Sequence, residues 1–273
     1  MAKRIEKTFC DSGNRTKIQT LWNNGSEKYF ERYYTTSTIL NIQQRPEIVF
    51  HSAVYRDIQD MLRENPIKKV CVLGSGDNLA VFAFHFLGLD VTSVDISENQ
   101  IANARSIADR YNLDIEFVVS DILDLSAIKN SEFDLVYTSN GVLTWIDDLL
   151  RMFREAGRVL KEGGFYMMYD VHPCQRPWKD DQLIISKPYF DVGPQQLDGN
   201  DGAKTFHWKT EDIVNSLIEA GFRLQFLHEL CSGDTKETGN MWRDEQELEL
   251  NDWKVNPLAA LPAWLEVVSE WST

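Results

Sequence analysis

Short apolar runs alternate with helical stretches through the middle of the chain. The runs are rich in Val, Ile, Phe and Tyr, which is typical of buried strands, and the stretches between them repeat their apolar residues every three or four positions. This pattern predicts strands at 69–73, 91–95, 115–119, 133–138 and 164–171, separated by helices near 78–87, 98–111 and 146–160. Strands that alternate with helices predict an α/β fold, in which a mostly parallel sheet carries helices on both faces.

The segment before the first strand has a different composition. Residues 1–65 are polar and aromatic, and they end in a helical pattern over 49–62. We therefore predict an N-terminal helical cap at 1–65, followed by the main domain at 66–273.

Two insertions interrupt the alternation in the second half of the chain. One, at about 172–208, contains several prolines and glycines, and the other, at about 231–260, is rich in acidic residues. We predict that both form lids over the fold. The pattern resumes with a helix that Gly221 ends, a strand at 222–230 and an alternating run at 264–271. These two strands bring the predicted sheet to seven, in a doubly wound arrangement.

Composition narrows the choice of partner. The 273 residues carry a formal charge of −14, which repels nucleic acid phosphates and anionic membrane surfaces, so a small-molecule partner is favoured. No run approaches the length of a membrane span, and no apolar core follows the first charged residues. We therefore expect neither a membrane segment nor a signal peptide, and a cytoplasmic location. The four cysteines form no CxxC pair, which argues against a metal site. We expect a monomer or a homodimer.

A turn with two glycines follows the first predicted strand. Gly74 and Gly76 permit a sharp turn and a close approach of a ligand to the backbone. Asp95, about twenty residues further on, ends the second strand, where a carboxylate can accept hydrogen bonds from ribose hydroxyls. Leu79 stands where a dinucleotide-binding motif has its final glycine, which argues against a nicotinamide cofactor. The motif thus predicts a site for an adenosine-containing cofactor.

The order of the elements and the motif residues together resemble the class I S-adenosylmethionine-dependent methyltransferases, in particular a bacterial small-molecule branch that is similar to quinone-biosynthesis methyltransferases. The resemblance covers residues from about 67 to 230 and the last strand. It implies a Rossmann-like methyltransferase fold, S-adenosylmethionine as the cofactor and S-adenosylhomocysteine as the product. It places Asp95 at the ribose, Asp121 and Ile122 at the adenine, and the end of the fourth strand beside the sulfonium. The positions that it implies for the cofactor are Gly74, Ser75, Gly76, Asp77, Asn78, Asp95, Ile96, Gln100, Asp121, Ile122, Ser139, Asn140 and Gly141.

Two positions depart from the glycine motif of this family. Val72 stands where an acidic residue usually helps to hold the amino group of the cofactor. Asn78 replaces the last glycine, although asparagine tolerates left-handed backbone geometry better than most residues. Either Asp77, Asn78 or a cap tyrosine compensates for Val72, or the cofactor binds more weakly. These departures leave one alternative open, a sensor or scaffold that binds S-adenosylmethionine without turnover.

His172 is the candidate general base. It directly follows the fifth predicted strand, and ligands of doubly wound sheets lie at the carboxyl ends of the strands. The alternative is a structural histidine that bonds to the backbone of the insertion. Methyl transfer depends mainly on alignment and desolvation, so the predicted activity does not require this base.

Several residues are candidates for contact with the acceptor, whose methylated atom is oxygen, nitrogen or carbon. Arg176 offers a bidentate clamp for a carboxylate, whereas the acidic run at 244–252 would suit a cationic amine. For the aromatic candidates, packing within the cap, the core or the loops is the alternative to substrate contact. The predicted acceptor contacts are Tyr33, Tyr34, Trp145, Arg176, Trp178 and His207.

Overall fold

The computed structural model describes residues 12–34, 37–76, 78–139, 141–179, 182–196, 202–232, 252–255 and 257–272. The α-helices in these ranges are α1 (Ser12–Tyr33), α2 (Thr38–Gln44), α3 (Ser52–Glu64), α4 (Leu79–Phe86), α5 (Glu98–Tyr111), α6 (Leu149–Val159) and α7 (Thr210–Ala220). The strands are β1 (Lys69–Leu73), β2 (Asp90–Asp95), β3 (Ile115–Val119), β4 (Phe133–Ser139), β5 (Leu160–Val171), β6 (Trp178–Lys179), β7 (Gln182–Ile185), β8 (Gln195–Gln196), β9 (Lys204–Thr205), β10 (Phe222–Leu230) and β11 (Trp264–Trp271).

A seven-stranded sheet forms the centre of the fold, with the strand order β10–β11–β5–β4–β1–β2–β3. Five strands, from β5 to β3 in this order, run parallel to one another. β11 lies between β10 and β5 and is antiparallel to both. This arrangement confirms the predicted α/β class and the seven-stranded, mostly parallel sheet.

Helices cover both faces of the sheet, and each face has its own apolar core. On one face, Phe153 of α6 and Leu217 of α7 pack in a cluster that includes Tyr166 of β5. On the other face, Phe84 of α4 packs in a cluster that includes Met167, the next residue of β5. Successive side chains of a strand point to opposite faces, so a central strand such as β5 is apolar on both sides.

Strand β5 begins earlier than the sequence predicts, at Leu160 rather than at 164. Leu160 already has extended backbone angles and is the partner of Phe133 in β4. Gly163 has a φ of +73° and lies within a shift of register between these two strands. Gly163 and Gly164 therefore form an irregularity inside the strand, and α6 ends before them at Val159.

The helical pattern at 49–62 is divided differently in the structure. A single 3-10 turn spans Pro46–Val49, and α3 begins only at Ser52. His51 explains this boundary, because its Nδ1 accepts a hydrogen bond of 3.2 Å from the backbone N–H of Ala53 and so caps the new helix.

Helix α1 is fastened to the rest of the fold at its middle and near its start. The side-chain oxygen of Asn23 accepts hydrogen bonds from Ser97 Oγ at 2.7 Å and from the backbone N–H of Asn99 at 3.2 Å. Near the start of the helix, Asn14 Oδ1 accepts a bond of 2.7 Å from the N–H of Lys204 in β9, and Asn14 Nδ2 donates to the carbonyl of Lys204 at 3.2 Å. The helix is therefore held against the start of α5 and against β9.

The predicted division into a cap and a main domain, and the lid role of the two insertions, stay predictions. Most of the acidic insertion, including 244–251, lies outside the described residues. None of the helices that the structure describes has both the length and the apolar character that a bilayer span requires.

Candidate functional site

A cavity of about 300 Å³ opens at the carboxyl ends of β1, β2, β3 and β4, within the size range of small-molecule sites. Its walls are the turns that follow these strands, together with one side of α1. The predicted cofactor residues that line it are Gly74, Ser75, Asn78, Asp95, Ile96, Gln100, Asp121, Ile122, Ser139 and Gly141. Two predicted acceptor contacts, Trp145 and Arg176, line it as well. Asp77 and Asn140 lie outside the described residues.

The glycine turn after β1 needs both of its glycines. Gly74 and Gly76 have φ angles of +60° and +49°, in the left-handed region that favours glycine. A Cβ atom at Gly76 would also collide with the side chain of Gln100. Between the glycines, Ser75 Oγ lies 2.7 Å from Ser93 Oγ, which ties the turn to β2. The turn therefore presents its backbone closely to the cavity.

Asn78 joins the glycine turn to the end of β4. Its Oδ1 accepts a hydrogen bond of 2.9 Å from the N–H of Ala80 and caps α4, while its Nδ2 donates to Ser139 Oγ at 3.2 Å. Its φ is −60°, so the left-handed conformation that its sequence position suggested is not used. Asn78 instead has an extended conformation, in which its side chain caps α4.

Asp95 places a buried carboxylate at the end of β2. Its Oδ1 accepts a hydrogen bond of 2.7 Å from the backbone N–H of Ser97. Burial raises the pKa of Asp95 to about 6, and hydrogen bonds from the N–H groups of Ser97, Gly76 and Ile96 oppose this rise. Donors on a ligand in the cavity would stabilise the ionised carboxylate further.

Arg15 links two carboxylates at the wall of the cavity. Its Nε lies 3.2 Å from Asp121 Oδ2, and its Nη2 lies 3.4 Å from Asp147 Oδ1. The other oxygen of Asp121 accepts a bond of 2.9 Å from the N–H of Leu123. These ion pairs attach α1 to the turn after β3 and to the segment before α6.

Most of the side of α1 that faces the cavity was not predicted, although the resemblance implied a cap tyrosine near the cofactor and Tyr29 lines the cavity. Its lining residues are Asn14, Arg15, Ile18, Trp22 and Tyr29. Residues 14, 18 and 22 are spaced by four and residue 29 by a further seven, which places them on one side of a helix. This spacing is visible in the sequence, although no recognised motif marks it.

Two tryptophan side chains meet at the wall of the cavity. Trp22 and Trp145 meet edge to face, with ring centroids 5.6 Å apart and an interplanar angle of 78°. Tyr34 does not line the cavity, because it stacks on Phe30 and packs edge-on against Phe82. The side chain of Tyr33 lies outside the described residues.

His172 is buried and does not line the cavity. Its Nδ1 accepts a bond of 3.1 Å from the N–H of Cys174, and its Nε2 lies 3.0 Å from Glu229 Oε1. Burial lowers the pKa of His172, against the opposing effect of Glu229. This geometry favours the structural alternative over the general base.

The other two predicted acceptor contacts also lie away from the cavity wall. Trp178 is half-buried in the short strand β6. His207 is half-buried, and its backbone N–H bonds to the carbonyl of Val192 at 2.9 Å. Burial lowers the pKa of His207 to about 4, and the positive charges of Arg176 and Lys187 add to this effect.

Comparisons with known proteins all find methyltransferases. A family described as a methyltransferase domain matches residues 71–168. The uncharacterized methyltransferase YbaJ of Bacillus subtilis is 30% identical over 179 residues, which cover 60% of this chain and 70% of that protein. A demethylmenaquinone methyltransferase of Leptospira interrogans is 36% identical over 90 residues, which cover 32% of this chain and 36% of that protein.

A similar fold occurs among solved structures. An S-adenosylmethionine-dependent methyltransferase from Mesorhizobium loti superposes with a TM-score of 0.56 at 22% identity, covering 74% of this chain and 90% of that one. At this level of identity the likeness concerns the fold.

Proposed function

Because this chain belongs to the class I S-adenosylmethionine-dependent methyltransferase family, we propose that it transfers a methyl group from S-adenosylmethionine to an oxygen, nitrogen or carbon atom of a small molecule. The observation that carries the proposal is the cavity itself. Its lining combines the glycine turn, Asp95 and Asp121 at the carboxyl ends of the strands, where doubly wound sheets bind their ligands. The lining also includes Trp145 and Arg176.

The residues of the cavity suit the parts of this cofactor. The buried carboxylate of Asp95 would accept hydrogen bonds from the ribose hydroxyls. Ile122 offers an apolar surface for the adenine, and Asp121 an acceptor for its amino group. Asn78 and Ser139 supply polar atoms near the glycine turn for the amino acid end, where Val72 supplies none. The fit supports S-adenosylmethionine as the cofactor.

The contribution of the chain to catalysis is alignment and exclusion of water. When bound, the cofactor supplies a methyl carbon that its positive sulfur activates. Trp22 of α1 meets Trp145 edge to face, and these rings line the cavity together with Tyr29, where they would exclude water and hold the acceptor close to that carbon. Among the described residues no histidine lines the cavity. We therefore assign most of the rate enhancement to orientation rather than to a histidine base.

The cellular setting follows from the same reasoning. The net charge of −14 disfavours nucleic acid as the acceptor and supports a small molecule. We place the reaction in the cytoplasm and assign it to a monomer or a homodimer. The relatives are methyltransferases, so they give no support to a sensor or scaffold without turnover.

Calorimetry followed by a transfer assay tests the proposal. We expect S-adenosylmethionine and S-adenosylhomocysteine to bind, a nicotinamide dinucleotide not to bind, and S-adenosylhomocysteine to accumulate in the presence of a suitable small molecule. Binding of the dinucleotide alone would contradict the proposal. Cofactor binding with no transfer to a broad set of acceptors would instead favour a sensor.

A further inference from the structure

The cavity contains a half-buried cation, Arg176. Arg176 follows the 3-10 turn Pro173–Gln175 and lines the cavity together with Val171 and Trp145. Among the described residues, no hydrogen bond or ion pair engages its guanidinium group. Arginine stays protonated in proteins, so burial here removes water from a permanent charge, which is costly unless a partner replaces the water.

Asp170 is the carboxylate whose charge acts on Arg176, and both of its oxygens already accept hydrogen bonds. Its Oδ1 accepts a bond of 2.6 Å from the N–H of Val171, and its Oδ2 accepts one of 3.0 Å from the N–H of Leu143. Its negative charge favours the protonated form of Arg176, but no oxygen of Asp170 comes within ion-pair distance of the guanidinium. Asp170 therefore offsets the charge at a distance and leaves the donors of Arg176 directed elsewhere.

Two further basic groups act on the same region. Lys187 and His207 both have their pKa lowered, first by burial and also by the positive charge of Arg176. Asp191 opposes this effect at both groups, and its backbone carbonyl accepts a bond of 2.5 Å from Lys187 Nζ. His207 is uncharged near neutral pH, so the positive charge of this region comes from Arg176 and Lys187. In a chain whose net charge is −14, a positive charge at the cavity indicates a site that attracts an anion.

We propose that Arg176 binds an oxyanion of the acceptor, a carboxylate or a phosphate monoester, and so positions the acceptor for methyl transfer. The planar guanidinium matches both groups through two parallel N–H to oxygen bonds. This inference rests on the proposed function and adds the chemical class of its substrate, a small organic acid. It also favours Arg176 over the acidic run at 244–252 as the group that selects the acceptor.

The cofactor has a carboxylate of its own, which is the competing occupant for Arg176. The glycine turn, Asn78 and Ser139 lie at the ends of β1 and β4, whereas Arg176 follows β5. Val171 and Trp145 share the wall with Arg176, which supports the acceptor as its ligand. An experiment can separate the two, because 5′-methylthioadenosine lacks the amino acid part of the cofactor.

Calorimetry on protein saturated with S-adenosylhomocysteine provides the test. The probes are benzoate, phenyl phosphate and, as a neutral match, benzamide. We expect either or both anions to bind at least about tenfold more tightly than benzamide. Arg176→Gln should remove this preference and leave benzamide unchanged, and Arg176→Lys should retain part of it. Comparison of benzoate with phenyl phosphate identifies the preferred oxyanion. Arg154→Gln, an exposed arginine on α6, is the control and should behave as the wild type.

Several outcomes would overturn the inference. One is equal binding of the anions and benzamide to the wild type, and another is an unchanged anion preference in Arg176→Gln. If Arg176→Gln weakens S-adenosylhomocysteine more than about fivefold but spares 5′-methylthioadenosine, Arg176 holds the carboxylate of the cofactor instead. Arg176→Lys keeps the test valid if the glutamine variant does not fold. If S-adenosylhomocysteine fails to bind the wild type, the proposed function itself fails, whereas normal binding without anion preference rejects this inference alone.

Discussion

At the scale of single residues, two carboxylates at the cavity have different environments. Asp121 is partly exposed and is paired with Arg15. Asp95 is buried, forms no ion pair within the described part of the chain and relies on backbone N–H groups, so its pKa rises to about 6. Asp95 therefore gains most from hydroxyl donors on a ligand, whereas Asp121 is already partly satisfied.

Replacement of Asp95 with alanine should weaken the binding of S-adenosylhomocysteine by about 1.5–3 kcal/mol, because charge-assisted hydrogen bonds to the ribose are lost. Calorimetry measures the change in affinity, and circular dichroism checks that the protein is folded. Asp90→Ala removes an exposed carboxylate from the other end of β2 and should leave the affinity unchanged. Equal affinities for all three proteins would show that Asp95 does not contact the cofactor.

Replacement of His172 with alanine should lower the free energy of unfolding by about 1–2 kcal/mol, because the cap on the N–H of Cys174 is lost. Chemical denaturation measures this loss, and turnover of the folded protein should change less than about twofold. Glu229→Gln removes only the exposed partner of the histidine and should cost little. A large fall in turnover at unchanged stability would restore the general-base assignment.

The cavity residues that follow strand ends could be predicted from the sequence, because the strands occur in a known order. The other cavity residues could not, since their positions depend on loop conformation. Trp145 and Arg176 line the cavity, whereas Trp178 and His207, from the same insertion as Arg176, do not. Composition and spacing do not distinguish these cases.

At the scale of elements, the strands were predictable and their ends were less so. β1, β3 and β10 have the predicted bounds. β1 is a nearly continuous buried apolar run, whereas β3 and β10 lie at the two edges of the sheet and are largely partly exposed or exposed. The predicted starts of β5 and α3 were wrong, since each start depends on one local interaction. Leu160 pairs with Phe133 ahead of the glycines, and the imidazole of His51 caps α3. Hydropathy does not record such contacts.

Strand β11 contains a buried ionisable group that should make stability depend on pH. Glu266 of β11 is fully buried, and its Oε2 lies 3.4 Å from Nδ1 of His228 in β10. Asp57 of α3 faces the same place, 3.3 Å from that nitrogen. Burial, and then the charge of Asp57, raise the pKa of Glu266 to about 8.

The folded protein therefore holds a proton on Glu266 that the unfolded chain loses at a lower pH. Stability from this group is fully present below the unfolded pKa and declines as the pH rises toward about 8. We expect the melting temperature to fall between pH 6 and pH 9 in the wild type, and to fall less in Glu266→Gln. Glu270→Gln, on the same strand but partly exposed, should follow the wild type. Parallel pH profiles for all three would contradict this assignment.

At the scale of the whole molecule, α1 is part of the site rather than an addition to it. It lines the cavity with Trp22 and Tyr29 and joins Asp121 and Asp147 through Arg15. Its bonds to the start of α5 adjoin the segment that follows Asp95. Cofactor binding and the attachment of α1 should therefore depend on each other.

Replacement of Asn23 with alanine removes the acceptor for Ser97 and Asn99, and should weaken S-adenosylhomocysteine binding about threefold to tenfold. Hydrogen exchange of the backbone of α1 should become faster in this variant, and slower in the wild type when the ligand is added. Asn24→Ala alters the exposed neighbour and serves as the control. A hydrogen-exchange rate in α1 that changes neither with the ligand nor with the mutation would contradict the coupling.

The antiparallel strand β11 also affects the order in which the strands of the sheet can pair. β5 and β10 are both made before residues 264–271, yet each pairs with β11 rather than with the other. During translation, β5 therefore has an open edge next to buried residues such as Met167 until β11 emerges from the ribosome. Such an edge is prone to aggregation and to recognition by chaperones. Completion of the sheet, and with it the stable form of both cores, therefore comes only after β5, β10 and β11 have all been made.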